Sequence, residues 1–242
     1  MRQQSVQPDL ILGVNNDSSD GSQDLMLQSG AKVVAWSAPY HHARVLNHAL
    51  RSCQTDLVLV LSSHTLLRSP TAIEQLVRAL DDPQTACASG KWDDDPFYSE
   101  AVNWAELKAK GIKFVSIYSN SFGMLRRRLW EGCPFDESLP TMEDYAWALE
   151  QVKRGYTCRR VKFDFKYARS GPTRYGVFAA LTFRLAARHG LRVVWLGPRA
   201  SVQEWLKCVL SKRTADGEDG LRLHSERIWA WLAWRWRNLT RE

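Results

Sequence analysis

An α/β fold is predicted for this chain, and three observations predict it. Short apolar runs rich in branched residues, at 10–14 (LILGV), 32–36 (KVVAW) and 56–61 (DLVLVL), have the length and composition of strands buried in a sheet. Between and after them lie segments with apolar residues at helical spacing: 41–52, 71–80 and 143–156. The strands open into loops of Asn, Asp, Ser and Gly, the residues that stop regular structure. Alternation of this kind predicts a mostly parallel sheet flanked by helices.

Taken in order, residues 10–14 form the first strand and end in NNDSSDGS at 15–22, a dense turn signal. A polar loop at the carboxyl end of a strand is where open α/β sheets bind ligands. A short helix at 23–30 and a strand at 32–36 follow. In 41–52, Ala43, Leu46, Ala49 and Leu50 make one helical face, with His41 and His42 at its start where they could touch phosphate. The strand at 56–61 runs into Ser62, Ser63 and His64. Pro70 opens a helix at 71–80, with Ile73, Leu76, Val77 and Leu80 inward, and Asp81-Asp82-Pro83 stops it. A strand at 85–89 leads to an acidic loop at 90–96, a helix is expected at 98–110, and a strand at 114–118 enters Ser119-Asn120-Ser121. A last strand is expected at 159–165.

The most informative stretch is 119–156. Thr141 is placed to cap a helix, Glu143 and Asp144 fall in its first turn, and Gly155 is placed to end it. Tyr145, Ala148, Leu149, Val152 and Tyr156 give that helix an apolar face. Acidic residues at a helix start are favoured by its dipole, so helix capping alone explains the pair. Two carboxylates on a rigid helix start beside a loop are equally well placed for general-base work.

The chain has 242 residues and 45% hydrophobic content, enough for one α/β domain with a core and a short appendage. We place the domain at 1–174 and a helical C-terminal appendage at 175–242. A net charge of +7 and a pI near 9.3 suit anionic partners. Nucleic acid is not expected, since no recognition motif is present. The five cysteines are scattered and spell no CxxC, which points to reduced thiols in a cytoplasmic protein rather than a zinc site. No apolar run is long enough to span a bilayer. The segment 221–242 mixes Trp229, Trp231, Trp234 and Trp236 with arginines, the composition of a helix lying in a membrane interface or docked on a partner. Location at the inner face of the cell membrane is the resulting expectation.

The segment 119–156 also resembles the back half of the catalytic domain of family 2 glycosyltransferases, which have the GT-A fold. The resemblance lies in Ser119-Asn120-Ser121, the basic Arg126-Arg127-Arg128, Phe135-Asp136-Glu137, and a helix that opens on Glu143-Asp144 and ends at Gly155-Tyr156. It implies a Rossmann-like, mostly parallel sheet and transfer of a sugar from a nucleotide-sugar donor to a saccharide or lipid-linked hydroxyl acceptor. Asp144 would be the base and Glu143 its support. On the donor side, Asn15, Asp17 and Asp20 resemble the family's base- and ribose-binding loop, with Asn15 in place of an acid, and Asn47 matches an Asn near the nucleotide. Ser62, Ser63 and His64 stand where the family carries Asp-x-Asp for a divalent cation, so a Mn or Mg ion would have at most His64, which could instead bond phosphate directly. Arg169, with Lys166 and Arg174, could neutralise the diphosphate. Asn120, Ser121 and Trp92 would line the sugar and acceptor pocket. Asp93 and Asp95 spell the metal motif but lie in the later acidic loop, near the acceptor.

The resemblance covers residues 4–170 and lacks the family's first strand, which implies a start placed too late or a truncated relative. A sheet without that central strand leaves backbone groups unpaired. Two functions follow: an inverting sugar transferase, or a catalytically impaired GT-A-like protein that binds nucleotide sugars or a partner.

Overall fold

Branched apolar residues at 57–61 (LVLVL) favour the pleated, half-buried surface of a sheet, and they form strand β3 of the computed structural model, which describes residues 3–91, 97–113, 117–168 and 175–194. The elements in order are β1 (Leu12–Asn15), α1 (Ser22–Gln28), β2 (Lys32–Ala35), α2 (His42–Arg51), β3 (Leu57–Leu61), β4 (Thr65–Leu67), α3 (Ala72–Ala79) and β5 (Thr85–Gly90). Then come β6 (Ala101–Val102), α4 (Trp104–Lys110), β7 (Phe122–Arg126), α5 (Arg127–Glu131), α6 (Glu143–Lys153), β8 (Thr157–Val161), β9 (Phe165–Tyr167) and α7 (Tyr175–His189). The α/β class and the alternation through β5 are those expected from the sequence.

The chain forms two compact units, one of residues 1–104 and 116–169 and the other of 105–115 and 170–242. In the first unit the main sheet has five strands in the order β3-β7-β5-β8-β6. Strands β3, β5 and β8 share one direction; β7, inserted between β3 and β5, and the edge strand β6 run the other way. Strands β1 and β2 pair in parallel as a separate sheet, and β4 pairs antiparallel with β9. Strand β3 is therefore an edge of the main sheet, and all five of its residues remain half-buried. Strands β1 and β2 thus stand apart from the five-stranded sheet.

The core of this unit is Ala72, Ile73, Leu76 and Leu80 on or just after α3, packed against Ala88, Phe122 and Met124 of the sheet. Fully burying a side chain such as Leu76 stabilises by roughly 1.5–3 kcal/mol. Helix α6 is buried through Tyr145, Ala146, Trp147, Ala148, Leu149 and Val152, which fixes its first residues rigidly. In the second unit, Ile112 bridges Val193 after α7, and the Arg192 guanidinium donates to the Ala109 carbonyl.

Several boundaries differ from expectation. The helix expected over 98–110 is the short strand β6 followed by α4, because Ala101 and Val102 pair with Arg159 and Cys158. Strand β7 follows Ser119, and of the strand expected at 114–118 residues 114–116 lie outside the described residues. The final strand is split into β8 and β9 around 162–164. Helix α6 is not capped by Thr141: its N-cap is Met142 in the left-handed region at φ 63, with no side-chain cap bond. Gly155 follows the C-cap Arg154 and supplies the left-handed turn at φ 98 that glycine allows at this place. Cys53, Cys87, Cys133 and Cys158 are free thiols. None of the helices among the described residues is long and apolar enough to cross a membrane.

Candidate active site

The site is organised by the turn that leads into β7. Tyr118 and Ser119 fold back over Gly123, where an added Cβ would lie 2.4 Å from the Ser119 carbonyl oxygen and 2.6 Å from the Tyr118 ring. Only glycine allows this approach, and it aims Asn120 at the start of α6. The backbone N–H of Asn120 donates to Asp144 Oδ2 at 3.0 Å, and its side-chain amide donates to Glu143 Oε1 at 3.3 Å. One residue therefore holds both carboxylates. Asp144 Oδ1 accepts the N–H of Tyr145 at 2.7 Å. Asn120 Oδ1 is buried and has no partner among the described residues.

The two carboxylates are not equivalent. Glu143 is 3% exposed, whereas Asp144 is half-buried. Burial, and then the neighbouring charge of Asp144, push the Glu143 carboxyl up to about 8. Burial also raises Asp144, while the N–H groups of Asn120 and Tyr145 and the His42 ring pull it back. Burial thus works against charge on both carboxyls, and the two backbone N–H groups on Asp144 favour the charged form there. Beneath them Tyr118 is fully buried and its phenol is pushed well up, chiefly by burial.

A residue from the first half of the chain completes this cluster. His42, the first residue of α2, places Nε2 3.4 Å from Glu143 Oε1. Its Nδ1 is 2.7 Å from the Tyr40 hydroxyl. Burial lowers the His42 ring from its ordinary value, partly offset by the charge of Asp144. The sequence placed His42 at a helix start but gave no sign that its partner would be Glu143. That contact depends on how α2 and α6 are brought together.

The donor-side residues converge only in part. At the end of β3, the Ser62 N–H donates to the Ser121 carbonyl at 3.0 Å, and Thr65 Oγ1 donates to the same oxygen at 2.9 Å. The Ser62–His64 turn therefore abuts the turn that holds Asp144. The His64 carbonyl accepts the Ala168 N–H at 2.8 Å, and its ring meets Tyr167 edge-on at 6.2 Å. This places β9, and exposed Lys166 in it, beside the turn. His64 itself is exposed.

Asn15 and Asn47 serve the fold. Asn15 Nδ2 donates to Gln23 at 2.6 Å and its Oδ1 accepts the Ser18 N–H, so it closes the turn before α1. Asp17 is exposed at φ 51, and Asp20 is held below the usual carboxylate range by its bonds from Ser22. Asn47, 1% exposed, donates to Phe135 O and Glu137 Oε1 and accepts from Trp130 Nε1 and the Phe135 N–H. These four bonds fill its hydrogen-bonding capacity. Asn47 ties α2 to the 130–137 segment. Trp92 and Arg169, with Asp93, Asp95, Arg174 and the segment 221–242, lie outside the described residues.

A divalent cation needs several hard oxygen donors at one point. The 62–64 turn offers two hydroxyls and one imidazole, and no group of three His, Cys, Asp or Glu side chains that could hold a metal occurs among the described residues. The residues described do not by themselves form a cation site.

Comparison with known proteins bears on this geometry. Residues 1–133 match the family described as Glycosyl transferase family 2. The O-antigen chain rhamnosyltransferase RfbN of Salmonella typhimurium is 27% identical over 177 residues, 64% of this chain and 55% of that protein. The chain thus spans little more than half the length of that relative. Among solved structures, the mannosyltransferase PcManGT of Pyrobaculum calidifontis, in complex with GDP-Man and Mn2+, has a TM-score of 0.64 at 16% identity, over 96% of this chain and 79% of that one. Glucosyl-3-phosphoglycerate synthase of Mycobacterium tuberculosis has a TM-score of 0.56 at 15% identity, over 76% of this chain and 70% of that one.

Proposed function

The chain belongs to glycosyl transferase family 2, and from that premise we propose that it transfers a sugar from a nucleotide-sugar donor to a hydroxyl acceptor with inversion at the anomeric carbon. The observation that carries the reading is the Asn120 clamp, with half-buried Asp144 on one arm and buried Glu143 on the other. Asp144, whose carboxylate accepts two backbone N–H groups, takes the proton of the acceptor hydroxyl. The acceptor oxygen then bonds to the anomeric carbon as the bond from that carbon to the diphosphate breaks on the opposite side. The nucleoside diphosphate leaves with the bonding electrons, and cationic groups such as Lys166 beside the 62–64 turn offset its charge.

A saccharide acceptor is supported by the likeness to an O-antigen chain rhamnosyltransferase. A lipid-linked acceptor at the inner face of the cell membrane is supported by the Trp- and Arg-rich composition of 221–242.

The test is transfer from UDP-, TDP- and GDP-sugars to saccharide acceptors, with and without Mn2+, by the wild type and by Asp144→Asn. Transfer lost in the variant is the expected result; transfer that survives it overturns Asp144 as the base. The second reading, a protein that binds nucleotide sugars without turning them over, is favoured by Ser62-Ser63-His64 and by the sheet in two pieces. Saturable binding of a nucleotide sugar without transfer would establish it.

A further inference from the structure

We propose that Tyr40 and His42 form a proton path between buried Glu143 and solvent, and that His42 is a positioning residue that fixes which carboxylate of the pair carries the charge. Its role in catalysis rests on the transfer reaction proposed above; the path itself rests on geometry alone. Glu143 is sealed at 3% exposure, the His42 side chain is 43% exposed, and Tyr40 is 61% exposed. The three groups thus step outward from the interior to water, at 3.4 Å and 2.7 Å.

Imidazole can pass a proton because its two nitrogens exchange donor and acceptor roles. With Glu143 protonated, its carboxyl faces Nε2 at 3.4 Å, close enough for its O–H to turn toward the ring, and Nδ1–H donates to the Tyr40 oxygen. When the carboxyl ionises, its proton moves to Nε2, the Nδ1 proton moves to the Tyr40 oxygen, and the proton first held by Tyr40 passes to water. One proton leaves, His42 is neutral before and after, and each contact keeps a donor and an acceptor. The other titratable groups that bear on the pair are Asp144 on α6, His41 at the N-cap of α2 and Tyr118 below. The hydrogen bond to the Glu143 carboxyl comes from Asn120.

The experiment follows the His42 ring nitrogens by NMR in the full chain from about pH 6 to 9, in the wild type and in Glu143→Gln. The expected result is a change of tautomer in the wild type as Glu143 titrates, and its loss in Glu143→Gln. The same titration of His42 in both proteins would overturn the path. Where transfer is measured, His42→Gln should shift the alkaline limb of kcat/KM by about one pH unit with an unchanged KM for donor. An unshifted limb would overturn the positioning role. A wild type with no transfer from any donor would defeat the proposed function, and the NMR comparison would still decide the path.

Discussion

Asn120 reaches Asp144 across 24 residues of sequence through its own backbone N–H, at 3.0 Å from Oδ2. A backbone donor cannot be removed by mutation of its side chain, so this arm of the clamp is built into the turn. The Tyr145 N–H occupies the other oxygen, and each oxygen keeps a lone pair for an acceptor proton.

Asp144→Asn keeps one oxygen and replaces the other by an amide N–H₂, which would face a backbone N–H. We expect transfer to fall by about 10²- to 10⁴-fold, the usual worth of a positioned base. Stability should fall by about 1–3 kcal/mol through the donor left unpaired. Initial rates and urea unfolding check the two effects separately; near-normal transfer in the variant would remove Asp144 from the chemistry.

Glu143 makes the stability of the fold depend on pH. Its folded value, about 8, lies above the ordinary value of 4.5, so the folded state holds this proton more tightly than the unfolded state. Stability from this group is complete below about pH 4.5 and is lost progressively as pH rises to about 8. Glu143→Gln removes the titration. The stability of the variant relative to wild type should rise across that window and level off above it. Urea unfolding at a series of pH values measures this, and a constant difference would show that Glu143 is not held protonated.

Much of this was legible beforehand, for reasons visible in particular residues. The run LVLVL at 57–61 and the helical spacing of Ile73, Leu76 and Leu80 fixed elements that local pattern decides. The acidic pair at the start of α6 was found for the same reason. Strands β4, β6, β7 and β9 were missed or misplaced because they are short or pair only with distant strands. The partners of Asn47 and His42 were not legible for a related reason. Whether a polar residue on a helix faces a ligand or a loop depends on what packs against it, here the 130–137 segment for Asn47 and Glu143 for His42.

Asn47→Ala tests whether this residue serves the fold. The substitution strips partners from Trp130 Nε1 and the Phe135 N–H, both with bonds to Asn47 Oδ1 in the buried interior. Each unsatisfied buried donor costs about 1–3 kcal/mol, so a loss of roughly 2–6 kcal/mol is expected. Asn47→Asp keeps the acceptor oxygen but gives up the donations to Phe135 O and Glu137, and places like charge beside Glu137. It too should destabilise, with the unfolding midpoint restored in part at low pH. A wild-type midpoint for both variants, with donor binding lost, would return Asn47 to the nucleotide site.

Gly123→Ala separates the geometry of the clamp from its chemistry. The added methyl would press on the Ser119 carbonyl oxygen at 2.4 Å, and backbone cannot yield as a flexible side chain can. The 118–120 turn must move, and with it both hydrogen bonds from Asn120 to the carboxylates. Small displacements of a catalytic group can cost about 10²-fold in rate. We expect a loss of transfer of that order together with a fall in the alkaline pKa of kcat/KM, since the loosened turn admits water to Glu143 and lessens its burial. A variant that loses stability but retains both the rate and the pH profile would show that the turn supports the sheet without setting the carboxylates.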